Sequence, residues 1–138
     1  RPLDVVGRTV LFADDSSVAR RQILSTLEAM EVGHIEAHNG RQAWDELQRI
    51  ASHAAACGKP VTEYLQVILT DVEMPEMDGY MLTRKVKSDQ RFSGVPVIMH
   101  SSLSGSSNQQ LGKSVGVDEY VSKFEPQRLA DTLTRLLA

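Results

Sequence analysis

A repeated alternation constrains this chain more than any other feature. Short apolar runs of strand length stop abruptly at polar or acidic residues, and each is followed by a stretch whose apolar positions recur at helical spacing. Thr9–Ala13 (TVLFA) stops at Asp14 and Asp15, Leu65–Thr70 (LQVILT) stops at Asp71, and Pro96–His100 (PVIMH) stops at Ser101 and Ser102. His34–His38 (HIEAH) and Glu119–Ser122 (EYVS) read as two further short strands. Apolar runs without alternation are buried on both faces, which points to parallel strands, and parallel neighbours need right-handed crossovers. The architecture predicted is α/β, a doubly wound, five-stranded parallel sheet covered by five helices.

The intervening stretches support this. Ser16 or Ser17 can cap a first helix whose apolar positions are Ile23, Leu24, Leu27 and Met30, with Arg20 and Arg21 at the end where the dipole disfavours cations unless nearby acids compensate. Asn39-Gly40 is a turn signal, and a second helix is expected over Arg41–Ala56 with Ala43, Trp44, Leu47, Ile50, Ala51 and Ala54 inward. Cys57-Gly58-Lys59-Pro60 ends it, and an extended connection to Tyr64 follows. Tyr80 to about Asp89 reads as a third helix, Asn108–Val115 as a weak fourth, and Pro126 opens a fifth carrying Leu129, Leu133, Leu136 and Leu137. The Ser- and Gly-rich stretch from Ser101 to Gly116 is expected to be mobile.

With 138 residues and 41% hydrophobic side chains, residues 9–138 suit one domain with a real core, residues 1–8 forming a polar lead. The opening on Arg1 raises the expectation of a piece of a longer protein. A net charge of -3 argues against a nucleic-acid partner, since phosphate contacts need concentrated Lys and Arg. No apolar run is long enough for membrane insertion, and the single Cys57 excludes an internal disulfide, so a reducing, cytoplasmic setting is expected.

In doubly wound sheets, ligands gather at the carboxyl ends of the strands. Those ends here hold Asp14 and Asp15, Asp71, Ser101 and Ser102, and Lys123. Carboxylates brought close raise one another's proton affinity unless a cation neutralises them, and a hard divalent ion such as Mg²⁺ takes such oxygens. Asp71 could then attack a phosphoryl group, with Lys123 supplying charge and Ser101 a hydrogen bond. Each residue also has a plainer reading: Asp14-Asp15 as a helix-cap pair, Lys123 as a solvated lysine, Tyr120 as a half-buried strand residue. His34 and His38 lie too far apart on a strand to share a ligand easily, Cys57 reads as structural, and His100 reads as a strand-end residue near the site. DVEMPEMDG resembles a calcium loop only loosely, because Pro75 stands where a ligand is needed.

The acid pair in FADDSS, then LTDVEMPEMDG, the Ser in VIMHSS and the Lys in YVSKF, in this order and spacing, resemble the receiver domain of bacterial two-component signalling. The likeness covers about Thr9 to Leu137. It implies the flavodoxin-like strand order 2-1-3-4-5 and a phosphorelay switch rather than an enzyme. Asp71 would accept phosphate from a CheA-like histidine kinase. Mg²⁺ would be held by Asp14 (through water), Asp15, Asp71 and the backbone carbonyl of Glu73. Ser101 and Lys123 would contact the phosphoryl group, and Tyr120 would turn inward when Ser101 is drawn toward it. EMPEMDGYMLTRKVKSD, the HSSLSG loop and KFEP look like the C-terminal receiver of CheV-type chemotaxis proteins. That variant implies a fused CheW-like coupling domain and a chemoreceptor array as partners. Phe124 stands where receivers usually have Pro, whose cis bond aims the Lys; a non-proline cis bond costs about 2.5–4 kcal/mol, so a trans bond must be allowed. Glu73 adds an acid beside the pocket that could modulate phosphate hydrolysis. Two other functions remain open on the residues alone: a Mg²⁺-dependent phosphohydrolase working through an aspartyl phosphate, and an unphosphorylated interaction module.

Overall fold

The computed structural model describes residues 7–102 and 106–138. Five strands, β1 (Thr9–Ala13), β2 (Gly33–Ala37), β3 (Val67–Thr70), β4 (Val97–Ser101) and β5 (Glu119–Ser122), form one parallel sheet in the order β2-β1-β3-β4-β5. The helices are α1 (Ser17–Ala29), α2 (Gly40–Cys57), α3 (Gly79–Lys87), α4 (Ser106–Val115) and α5 (Pro126–Leu137). Architecture and strand order are those expected. The polar lead falls mostly on residues 1–6, and part of the stretch expected to be mobile is residues 103–105, all outside the described residues.

Two apolar layers flank the sheet. Val10, Phe12, Val67, Leu69, Ile98 and Val121 meet Ile23 and Leu27 of α1 and Leu129, Leu133 and Leu137 of α5. On the other face Leu11, Ile68 and Val97 meet Ala43, Leu47 and Ala54 of α2 and Leu82 and Val86 of α3. Burying one such leucine contributes roughly 1.5–3 kcal/mol, so the two layers supply most of what holds the fold.

Local chemistry sets the element ends, and here several boundaries differ from expectation. Asn39 is the N-cap of α2: its extended backbone starts the helix at Gly40, and its side chain accepts from Gln42 N–H at 2.8 Å. Gly58 closes the same helix in the left-handed region, φ 67°. The connection after Pro60 is a short 3-10 turn, Val61–Glu63, with Leu65 N–H bonded back to Val61 O at 3.0 Å; this takes Leu65 and Gln66 out of the expected strand. Asp78 caps α3 through Met81 N–H at 2.8 Å, so the helix begins at Gly79 rather than Tyr80 and ends at Lys87, before a second 3-10 turn, Gln90–Phe92. β4 begins at Val97 and includes Ser101. Trp44 packs against the core as expected but is only half-buried: its ring meets Phe92 edge-on and lies under Lys85.

Candidate functional site

Side chains alternate along a strand, so a residue two positions beyond a core residue falls on the same face. Continuing past Phe12, Leu69, Ile98 and Val121 in this way gives Asp14, Asp71, His100 and Lys123. The carboxyl edge of the α1/α5 face therefore gathers two acids, an imidazole and an ammonium. Backbone bonds fix their heights: Asp71 N–H donates to Ala13 O at 2.9 Å, Asp14 N–H to Ala37 O at 3.2 Å, and Lys123 N–H to Ser101 O at 2.9 Å.

Lys123 Nζ lies 2.8 Å from Asp14 Oδ2 and 3.3 Å from Asp71 Oδ2. The remaining oxygens are also held, Asp14 Oδ1 by Ser16 N–H at 2.9 Å and Asp71 Oδ1 by Val72 N–H at 2.8 Å. Asp14 is fully buried, Asp71 nearly so, and Asp15 is exposed. Carboxylate oxygens of Asp14, Asp15 and Asp71 all come within 4.8 Å of one another. That set of hard oxygen donors, part buried and part open, suits a divalent cation such as Mg²⁺.

Burial pushes the Asp71 carboxyl up to about 6, with the Asp14 charge adding to it; Lys123 and the Val72 N–H pull the other way. Repulsion between the acids is thus the lesser cause, and loss of water the greater. For Lys123, burial opposes the charge, but Asp14 and Asp71 outweigh it and hold the ammonium above its ordinary value.

The loop leaving Asp71 is clamped by close backbone approach. A Cβ on Gly79 would stand 2.0 Å from Asp71 O, and Gly79 N–H donates to Val72 O at 2.8 Å. Only glycine lets α3 begin against the strand end in this way. The same loop puts exposed Glu73 in an open cleft with Asp15, Asp78 and Tyr80. Among the described residues no peptide bond is cis, so Lys123–Phe124 is trans. The turn after β5 is fixed instead by Phe124 N–H donating to Ser122 Oγ at 3.1 Å, and the Phe124 ring is exposed.

Ser101, buried, and Tyr120, half-buried, fall by register on the opposite, α4-facing side of the sheet. The Tyr120 ring packs where α4 has Gly112; a Cβ there would be 3.4 Å from Tyr120 Cδ2. Sequence reading missed two participants. Arg20 donates to the Asp14 carbonyl at 2.9 Å and pairs with Glu36 at 2.8 Å, which explains a cation in the first turn of α1. His100 is buried within the α1/α5 face itself, where sequence placed it only near the site.

A model of the response regulator receiver domain matches residues 10–134. The chain belongs to that family. Within it, this receiver is 35% identical over 130 residues to the chemotaxis protein CheY1 of Helicobacter pylori, covering 93% of this chain and 95% of that protein. It is 31% identical over 128 residues to the chemotaxis protein CheV3 of the same organism; the match takes in 93% of this chain but only 40% of CheV3. Its backbone superposes on the Vibrio cholerae chemotaxis protein CheY4 with a TM-score of 0.73 at 27% identity, covering 95% of this chain and 99% of that one. No helix among the described residues is long and apolar enough to cross a membrane.

Proposed function

We propose that this receiver takes a phosphoryl group onto Asp71 from the phosphohistidine of a CheA-like kinase and so switches a partner-binding surface in chemotaxis. The observation that carries the reading is the buried Asp71 carboxylate set 3.3 Å from the Lys123 ammonium within a cluster of three acids. A carboxylate oxygen of Asp71 attacks phosphorus, the P–N bond breaks, and the imidazole leaves with the bonding pair. Lys123 balances charge on the transferring oxygens, and Ser101 donates a hydrogen bond to them. Mg²⁺ held by Asp15, Asp71 and the Glu73 carbonyl would supply charge neutralisation and orient the phosphoryl oxygens. Both oxygens of Asp14 are engaged, by Ser16 and Lys123, which favours a water-mediated part for it.

Drawing Ser101 toward the phosphate frees space beneath α4, and Tyr120 responds by turning inward, altering the surface a partner reads. Similarity to CheV3 along most of the chain supports a place beside a CheW-like coupling domain in a receptor array.

Incubation with a small phosphodonor and Mg²⁺, read by intact mass, should add one phosphoryl group to the wild type and none to Asp71→Asn. Equal labelling of the mutant would remove Asp71 from the centre. Sustained release of phosphate from monoesters would favour a hydrolase, and failure to bind beryllofluoride an unphosphorylated module. Tyr120→Ala should label normally yet lose at least half of the phosphorylation-dependent gain in partner binding; lost labelling would mean a structural role.

A further inference from the structure

A cavity of about 380 Å³ lies between α1 and α5, beside the cluster of charges. His100, Ile23 and Leu129 are buried in it, the Lys123 side chain lines it, and Ser25 and Thr26 of α1 stand at its more exposed rim. Ile23, Pro126 and Leu129 give it an apolar part beside convergent polar groups, and at this size that combination suits a small molecule.

His100 gives the cavity its chemistry. The residue is 6% exposed, and its Nδ1 is sealed from solvent with no hydrogen-bond partner among the described residues. Burial, with the Lys123 ammonium adding to it and Asp14 opposing, lowers its pKa to about 4, so the ring is neutral near neutrality. A neutral imidazole carries one N–H, and a dry, orphaned N–H is rarer and costlier than a bare lone pair. Nδ1 is therefore the bare nitrogen and Nε2 the donor. Of the two ring nitrogens only Nδ1 is sealed, so Nε2–H is the donor that His100, as part of the lining, has available to a ligand in the cavity. The cavity's deep donors are then His100 and Lys123, with Gln22, Ser25 and Thr26 toward the rim, and a ligand seated on His100 must bring an acceptor. A full anion is disfavoured, since Lys123 already faces Asp14 and Asp71, with Asp15 close by.

We propose that the α1/α5 cavity binds a small neutral carbonyl compound with an apolar body, of the amide or lactone class, whose oxygen accepts from His100. Binding there involves no phosphoryl chemistry at Asp71.

Benzamide is the probe, titrated into the wild-type chain and followed by NMR at the His100 ring and the Ile23 and Leu129 methyls. Saturable shifts at these groups are expected with a Kd of about 1 mM, in line with a ligand of this size. His100→Leu should weaken binding roughly five- to tenfold, the loss of one net hydrogen bond. His100→Gln, whose amide places a donor near the Nε2 position, should retain it. Ser25→Trp, at the exposed rim, should abolish it without touching the charges. Should the leucine variant not fold, His100→Asn, whose amide falls short of that position, takes its place with the same expectation. Absence of saturable shifts up to the solubility of benzamide, undiminished binding by the leucine or asparagine variant, or tighter binding of benzoate than of benzamide would overturn the proposal.

Discussion

Asp71 and His100 are perturbed in opposite directions by the same loss of water, and the acid response of the fold depends on their balance. Asp71 moves from 3.8 unfolded to about 6 folded, so between these values the folded state holds a proton the unfolded chain has lost. Its contribution is full below 3.8 and is lost as pH rises through 6, a change of about 3 kcal/mol. His100 moves from 6.5 to about 4, so here the unfolded chain holds the extra proton, and stability falls by about 3 kcal/mol as pH drops through that window. In the absence of divalent cations, urea denaturation of the wild type should therefore be nearly flat between pH 6.5 and 4. Asp71→Asn should lose about 3 kcal/mol over the same range, and at neutral pH should exceed the wild type in stability by about as much. Parallel curves for mutant and wild type would refute the opposition. Asp71 was legible in the sequence because an acid ending a buried run is conspicuous. His100 was not, because a histidine ending a strand looks alike whether it faces solvent or a roof of two helices.

The helices show how boundaries are decided by side chains reaching back to the backbone. Asn39 and Asp78 each satisfy an otherwise unpaired N–H at the start of a helix. Asn39→Ala should cost about 1 kcal/mol in denaturant unfolding, with no effect on labelling at Asp71. A loss below a few tenths would mean that packing of Ala43 and Leu47, rather than the cap, holds the first turn. Periodicity revealed that all five helices exist, since each needs an apolar stripe facing the sheet. The starts of α1 and α5 were read correctly, whereas those of α2 and α3 fell one residue late, at Gly40 and Gly79, because a cap and a turn share the same residue types. The strand expected from Leu65 was shortened for a related reason: the 3-10 turn after Pro60 depends on a bond from Leu65 N–H to Val61 O that no local pattern announces.

At the scale of the whole molecule, Asp14 after β1, Asp71 after β3 and Lys123 after β5 come from the start, middle and end of the chain and meet only because β1 and β3 are neighbours and β5 lies two strands beyond β3. A cation bound there stabilises the folded chain alone, since the unfolded chain scatters its ligands. At about a hundredfold excess over its Kd, Mg²⁺ should stabilise the protein by about 2.7 kcal/mol, raising Tm by on the order of 10 °C. Asp15→Asn should remove most of that shift, and a full shift in the mutant would exclude Asp15 as a ligand. The amino-acid sequence by itself determined the alternation of strands and helices, the acids ending β1 and β3 and the family likeness, all of which are local patterns. Tertiary structure alone decided what becomes of those charges. It closed Lys123 onto Asp14 and Asp71 across a trans peptide, put burial ahead of repulsion in setting the proton affinity of Asp71, and roofed His100 beside a cavity. Loss of water and the distances between charges exist only once distant segments are packed together.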